Sequence, residues 1–342
     1  MRMCYHLTIP PSPMADCEAV AQDVRLLQRV APGERFHLYP TRAPGTRIPR
    51  LLWGLNQLPA LWRAERLTDL HHVFNPDPFP FSALRLLRRP IIYSVVGGMN
   101  DAHREMARRL AELAHTIIVS SEADYERLRG WGIARARFVQ PAIEADRFSH
   151  ALPPPNAPFT LLAGSAPWTV EQFASKGVDV LLEVARNRPD VRLVFLWRGV
   201  VFDEMMRRVS ALGLEQRVRV LNEKADVNRV LAGVHASVVL AKRSDVVKAY
   251  PHSLLESLAA GKPVLVSRVI PMAKWVEQAR LGLVIDQVDV ERVLNAIAAL
   301  QSSEMQFQAE RLRASVADQT RRFIEQHEQV YRQAVDRQLP EY

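Results

Sequence analysis

The stretch Lys248–Ser267 reads KAYPHSLLESLAAGKPVLVS and concentrates residue types that handle an anionic ligand. Ser253 and Glu256 have the S-x-x-E spacing of a capping box, which predicts a helix starting at Ser253. Gly261 fits its C-terminal cap, and Pro263 prevents its continuation. A short helix between two buried strands presents an amide-rich N-terminus, a ready site for a phosphate. Glu256 then has two readings, a helix cap or a ligand-facing carboxylate. A second stretch, Gly164–Gly177, reads GSAPWTVEQFASKG and lies between a predicted strand and a predicted helix. Its Lys176 sits just before the helix, where an ammonium can reach a phosphate on the helix terminus. Most lysines are simply solvated, and the loop alone does not separate the two readings.

These segments are placed by an alternation of strand-like and helix-like patterns along the whole chain. In the first half, strands are predicted at Met3–Ile9, 36–39, 69–74, 91–96, Thr116–Val119 and 136–140, with helices at Cys17–Val30, 101–115 and 121–130. Asn75-Pro76-Asp77-Pro78 is strong turn chemistry. The segment 151–158, ALPPPNAP, has four prolines in eight residues and reads as a linker. The alternation then restarts. Strands are predicted at 160–163, 191–197, 217–221, 236–241, 263–267 and 282–285, helices between them, and an almost wholly helical tail from Glu304 to Gln338. Strands separated by helices imply parallel sheets covered on both faces. The expectation is an α/β protein of two Rossmann-like, doubly wound domains facing one cleft, with chemistry in the loops after the strands. The domains are expected at 1–150, completed by a returning helix over 320–342, and at 159–319. Phe323, Val330, Tyr331 and Ala334 would form the packing face of that helix.

Composition narrows the function classes. The 342 residues suggest two domains, and 48% hydrophobic with 24% charged residues is an ordinary globular balance. Cys4 and Cys17 are the only cysteines, which excludes a Cys-rich zinc site and fits a reducing compartment. The net charge of +8 invites anionic partners, although the first 150 residues contain no lysine. The Arg85, Arg88, Arg89 cluster reads as a solvated face. No zinc knuckle, helix-turn-helix or aromatic-basic strand pattern supports nucleic acid as a partner. No G-x-G-x-x-G opens a helix, which disfavours a dinucleotide dehydrogenase. There is no run of 18 apolar residues and no apolar core near Met1, so the expected location is cytoplasmic.

Together the two chemical stretches resemble the nucleotide-sugar half of GT-B glycosyltransferases, specifically the retaining family 4 group (glycosyl transferases group 1). The resemblance spans most of residues 60–300. Its most specific part is L-L-E-A-x-A-x-G-x-P-V, here Leu254-Leu255-Glu256-Ser257-Leu258-Ala259-Ala260-Gly261-Lys262-Pro263-Val264. The preceding E-G-F-P loop reads Lys248-Ala249-Tyr250-Pro251, and the strand-end glycine leading to Lys-Gly is Gly164 followed by Lys176-Gly177. In the first half, the segments 69–73, 90–94, 119–122 and 139–148 look like the family's strand ends and its pre-linker signature.

The resemblance implies a nucleotide-sugar donor, a GT-B fold and retaining hexosyl transfer without a metal or other cofactor. No D-x-D triplet points to the metal-dependent GT-A alternative. It implies that Glu256 binds the donor ribose, that Lys176 contacts the diphosphate, and that amides near His252, Ser253 and Leu254 complete the cradle beside Gly164 and Ser165. The family's first glutamate is Lys248 here, its arginine is Ser165, and its N-domain histidine falls on Val96. Its first glycine pair is replaced around Ala15-Asp16-Cys17. Lys248 is therefore expected to supply positive charge to the leaving diphosphate, to pair with an acidic donor sugar, or to face solvent. These departures keep alive a GT-B-like accessory protein without turnover. A nucleotide-sugar epimerase on the same fold is a third reading.

The acceptor implied by the resemblance is a glycan or a lipid-linked molecule. Arg50–Leu67, RLLWGLNQLPALWRAERL, sets Trp53 and Trp62 among leucines and arginines. It matches an interfacial membrane helix interrupted by Pro59, which would bring the protein to the inner face of a membrane. It matches a core-packing helix pair with arginines outward better. The His71-His72 pair is not expected to hold a metal.

Overall fold

The computed structural model describes residues 1–8, 19–40, 47–154, 156–197, 200–302 and 308–336. The ends predicted at Ile9, Cys17 and 337–342, and the Ala15-Asp16-Cys17 segment, lie outside the described residues. The chain forms two compact units, one of residues 1–142 with 319–342 and one of residues 143–318. Each is built on a six-stranded parallel sheet.

The first unit runs β1 (Met3–Leu7), α1 (Ala19–Gln28), β2 (Gly33–His37), α2 (Leu58–Glu65), β3 (Leu70–Asn75), β4 (Ile91–Val95), α3 (Arg104–Leu113), β5 (Thr116–Val119), α4 (Glu122–Gly130) and β6 (Ala136–Phe138). The sheet order is β2-β1-β3-β4-β5-β6. Strands β1, β3, β4 and β5 are buried along their whole length, as strands covered on both faces must be. Pro59 does not interrupt a helix. It lies in the first turn of α2, where a missing amide costs nothing. Short 3-10 turns at Arg50–Leu52 and Leu55–Gln57 lead into α2.

The second unit runs β7 (Phe159–Ala163), α5 (Gln172–Ser175), α6 (Val178–Asn187), β8 (Val191–Leu196), α7 (Phe202–Ala211), β9 (Val218–Leu221), α8 (Val227–Ala232), β10 (Ala236–Val239), α9 (His252–Ala259), β11 (Val264–Ser267), α10 (Met272–Gln278), β12 (Gly282–Ile285) and α11 (Val290–Gln301). The sheet order is β12-β11-β10-β7-β8-β9. The last helix, α12 (Ala309–Asp336), gives Leu312 and Val316 to the core of the second unit. Its later residues Phe323, Val330, Tyr331 and Ala334 are buried in the core of the first.

The boundary differs from the one expected at the proline segment. It falls between Ala142 and Ile143, because Ile143 and Phe148 are buried beside Tyr250, Leu254 and Leu258. Asn228 Nδ2 also donates to the Arg147 carbonyl at 2.7 Å, tying this stretch to the second unit.

The first unit buries several imidazoles. Glu65 Oε1 accepts from the amides of Arg88 and Arg89 and pairs with His71 Nε2 at 3.1 Å. His71 Nδ1 in turn meets His6 Nε2 at 2.9 Å. Burial raises the Glu65 carboxyl, but the bonds from His71 and the two amides outweigh it and hold the group at about 2. His72 lies between Tyr331 and Ser94, at 2.7 and 2.8 Å. Both histidines of the pair are thus structural side chains between strand and helix. Burial, helped by neighbouring imidazoles, holds His6 and His72 well below 6.5, and burial brings His327 to about 4. All three are neutral in the fold, while the unfolded chain takes up their protons below about 6.5. The unfolded state then binds more protons, so stability falls as pH drops below 6.5 and is flat above it. Urea midpoints measured from pH 8 to 4.5 are expected to show that loss, and a His72→Gln variant to show a shallower one. A midpoint already falling above pH 7, or the same slope in the variant, would contradict this assignment.

Candidate functional site

In the second sheet, β7 has β8 on one side and β10 on the other. The chain winds outward from β7 through β8 to β9, then returns to build β10, β11 and β12 on the opposite side. The carboxyl ends of β7 and β10 therefore flank a topological switch point, where adjoining loops diverge and leave a crevice. The loop after β7 carries Gly164, Ser165 and Lys176. The connection after β10 carries Lys248, His252, Ser253, Leu254 and Glu256.

Gly164 allows the two to touch. A methyl group there would lie 2.1 Å from Ser253 Oγ and 2.6 Å from Ser253 Cβ. Only glycine lets the N-terminus of α9 approach the end of β7 so closely. Ser165 follows with φ of 63°, a left-handed conformation unusual for a residue with a side chain. That turn brings the loop back over Lys176. Lys176 Nζ donates to the Ala166 carbonyl at 3.0 Å and meets Ser165 Oγ at 3.5 Å. Lys176 is buried, so its charge is weakly screened at the switch point. Gly177, at φ of 66°, starts α6 against the residue that follows β10, since a methyl there would meet Leu240 Cβ at 2.8 Å. The Lys242 amide donates to the Ser175 carbonyl at 2.7 Å and joins the two loops next to Lys176.

The capping box is not formed. Helix α9 starts at His252 with Pro251 at the N-cap, and no side chain caps it. Ser253 is inside the first turn, packed against Gly164 rather than closing the helix. With Pro251 at the N-cap, the third helical residue is Leu254, so Glu256 does not hold the capping-box position that its spacing suggested. It is buried on the second turn, and side chains lean toward a helix N-terminus, which places it over the His252–Ser253 end. Leu254, Leu255 and Leu258 are buried in the core and fix the helix; each contributes ~1.5–3 kcal/mol. The expected amide cradle is smaller than His252–Leu254. The Leu254 amide already donates to the Pro251 carbonyl at 3.0 Å.

Lys248 is exposed. The buried Tyr250 and the Met272 amide, which donates to the Ala249 carbonyl at 3.0 Å, anchor the residues just after it. Val96, in the first unit, follows β4 and packs on the core, where it can neither donate nor accept a proton.

The first unit has its own switch point, between β1 and β3. The turn Asn75-Pro76-Asp77-Pro78 was legible there only as a turn. Arg50 grips Asp77 with two bonds, Nη1 to Oδ2 at 2.6 Å and Nη2 to Oδ1 at 2.7 Å. Nη2 also reaches Asn75 Oδ1 at 3.1 Å. The guanidinium lies 4.5 Å from the Phe79 ring centre. Thr8 Oγ1 donates to Asn75 Oδ1 and completes the cluster. The spacing of Arg50 and Asp77 carried no signal for this pairing.

Residues 169–322 match the family model for glycosyl transferases group 1. No curated protein matches the sequence. Solved structures share the fold over nearly the whole chain. HepE from Anabaena, in complex with UDP and glucose, has a TM-score of 0.70 at 15% identity, covering 96% of this chain and 99% of its own. Sucrose-phosphate synthase from Thermosynechococcus elongatus has a TM-score of 0.73 at 16% identity, covering 97% and 99%. A glycosyltransferase from Rickettsia africae has a TM-score of 0.72 at 10% identity, covering 98% and 99%. At these identities the likeness to solved structures is one of fold.

Proposed function

We infer the reaction from the family: the chain is a glycosyltransferase of the GT-B fold, and its second unit carries the glycosyl transferases group 1 domain. It moves a sugar from a nucleotide-sugar donor to an acceptor. The observation that supports a donor site at the second switch point is the convergence there of Gly164, Ser253, Lys176 and Glu256. Lys176 and the first amides of α9 face the diphosphate, a leaving group whose charge grows as the glycosidic bond breaks. Glu256 accepts hydrogen bonds from the two ribose hydroxyls, which a carboxylate does better than a neutral group. Lys248 adds positive charge where the family places a glutamate. The first unit takes the acceptor.

The finer reading is retaining transfer of a hexose, with a uridine diphosphate hexose as the first donor to try, because HepE is described with UDP and glucose. The acceptor is a glycan, free or lipid-linked, and a lipid-linked one requires contact with a membrane surface.

Nucleotide titration of the whole chain and of Glu256→Gln tests the donor site. Glutamine keeps the shape but not the charge, so affinity for the nucleotide is expected to fall by ~1–3 kcal/mol. A variant that loses stability yet binds nucleotide normally would leave Glu256 a structural role only.

A further inference from the structure

Helix α2 and the turn that ends it present one stripe of residues to water. Pro59, Trp62, Arg63, Arg66 and Leu67 are exposed at helical spacing, whereas Leu61 and Glu65 are buried. Trp62 is 47% and Leu67 67% exposed. Three hydrogen bonds join α2 to the segment that follows β3. Trp62 Nε1 donates to the Leu86 carbonyl at 3.1 Å. At the other end of the stripe, Glu65 holds the amides of Arg88 and Arg89 at 2.5 and 2.9 Å. Leu86 is 46% exposed, and Arg85, Arg88 and Arg89 all face water. The turn Arg50–Leu52, which lies against Ser82–Leu86, adds the exposed Leu51 and Leu52.

The result is one continuous surface of large apolar side chains set among five arginines. Among the described residues, none of Arg63, Arg66, Arg85, Arg88 and Arg89 has an ion pair. Glu65, the acid nearest to Arg63 and Arg66 in sequence, is buried and spent on His71 and two backbone amides, and Asp77, the acid nearest to Arg85 and Arg88, is held by Arg50. A solvated face explains the arginines but not an indole and four leucines beside them. A core-facing helix explains neither, because these side chains are exposed. No helix among the described residues is long and apolar enough to cross a membrane, so a contact with lipid would be made by a surface of this kind.

We propose that this face docks on an anionic lipid bilayer, with Trp62, Leu67 and Leu86 in the headgroup boundary and the arginines against lipid phosphates. Charge complementarity selects that occupant: five unpaired cations need a partner that is negative over an area, and the apolar side chains need one with an apolar layer beneath. The inference rests on the reading of a lipid-linked acceptor and adds the face and the lipid charge that would serve it.

Co-sedimentation of the intact chain with phosphatidylcholine vesicles, with and without phosphatidylglycerol, tests it. Binding is expected only to the anionic vesicles and is expected to weaken as salt rises. Each arginine near the surface is worth about fivefold in partition, so Arg88→Gln with Arg89→Gln should lower binding roughly 25-fold. Trp62→Ser should lower it independently of salt. Nucleotide affinity, measured in solution on the same variants, should stay unchanged, which separates failure of the membrane face from failure of the donor site. Equal binding by wild type and variants, or none to anionic vesicles, would overturn the proposal. So would concentration-dependent self-association abolished by Trp62→Ser, which would assign the face to a second copy of the chain.

Discussion

Gly164→Ala is expected to weaken nucleotide binding by at least tenfold and to lower stability by ~1–3 kcal/mol. The added methyl would stand 2.1 Å from Ser253 Oγ and 2.6 Å from Ser253 Cβ. Rotating the hydroxyl relieves only the first contact. The second can be relieved only by moving the backbone of α9, and the buried Leu254, Leu255 and Leu258 hold that helix in place. The helix terminus would then shift away from β7, taking the Ser253 amide and Glu256 with it. The double variant Gly164→Ala with Ser253→Gly removes both clashing atoms. The next nearest atom, Val239 Cγ2 at 3.7 Å, is an ordinary contact. Binding should recover in the double variant, less a small cost of glycine in a helix. A single variant that binds normally, or a double variant that recovers nothing, would mean that this close approach does not shape the site.

Lys176→Met is expected to cost ~1.5–3 kcal/mol in affinity for a nucleoside diphosphate, the range for a hydrogen bond to a charged group. The same substitution should cost little for the corresponding nucleoside, which carries no phosphate. Methionine keeps the apolar stem, so packing around α5 is preserved. Lys248→Ala should cost less than Lys176→Met. Lys248 is exposed and screened, whereas Lys176 is buried at the strand end. Comparing the two by calorimetry ranks them. If Lys248 proves the costlier loss, the diphosphate lies toward the β10–α9 loop. If both leave the diphosphate untouched, neither cation faces it.

Much of the fold was legible because the inner strands β1, β3, β4, β5, β10 and β11 are buried along their whole length, and most of the strands read as short β-rich runs between turns. Thr116–Val119 and Gly282–Ile285 fall where the pattern places them. The loops after β7 and β10 were legible from a motif with distinctive glycine and proline positions. The start of α9 was not. The serine and glutamate spacing fitted a capping box, but Pro251 precedes them in an extended conformation that already ends the loop, and Ser253 is drawn against Gly164. That contact joins residues from two strand ends, which no local spacing reveals. The same limit hid the Glu65–His71–His6 chain and the Arg50–Asp77 pair, whose partners meet only when the sheet is assembled. Pro59 misled for a different reason. A proline in the first turn of a helix and one in its middle look alike until the helix start is known.

The proposed donor site puts a nucleoside diphosphate at the switch point between β7 and β10. A crystal structure of the chain with UDP tests it most directly. Phosphate oxygens are expected within ~3 Å of Lys176 Nζ and the Ser253 amide, and ribose hydroxyls at the same distance from the Glu256 carboxylate. A nucleotide bound elsewhere, or one at this crevice with its ribose turned away from Glu256, would contradict it.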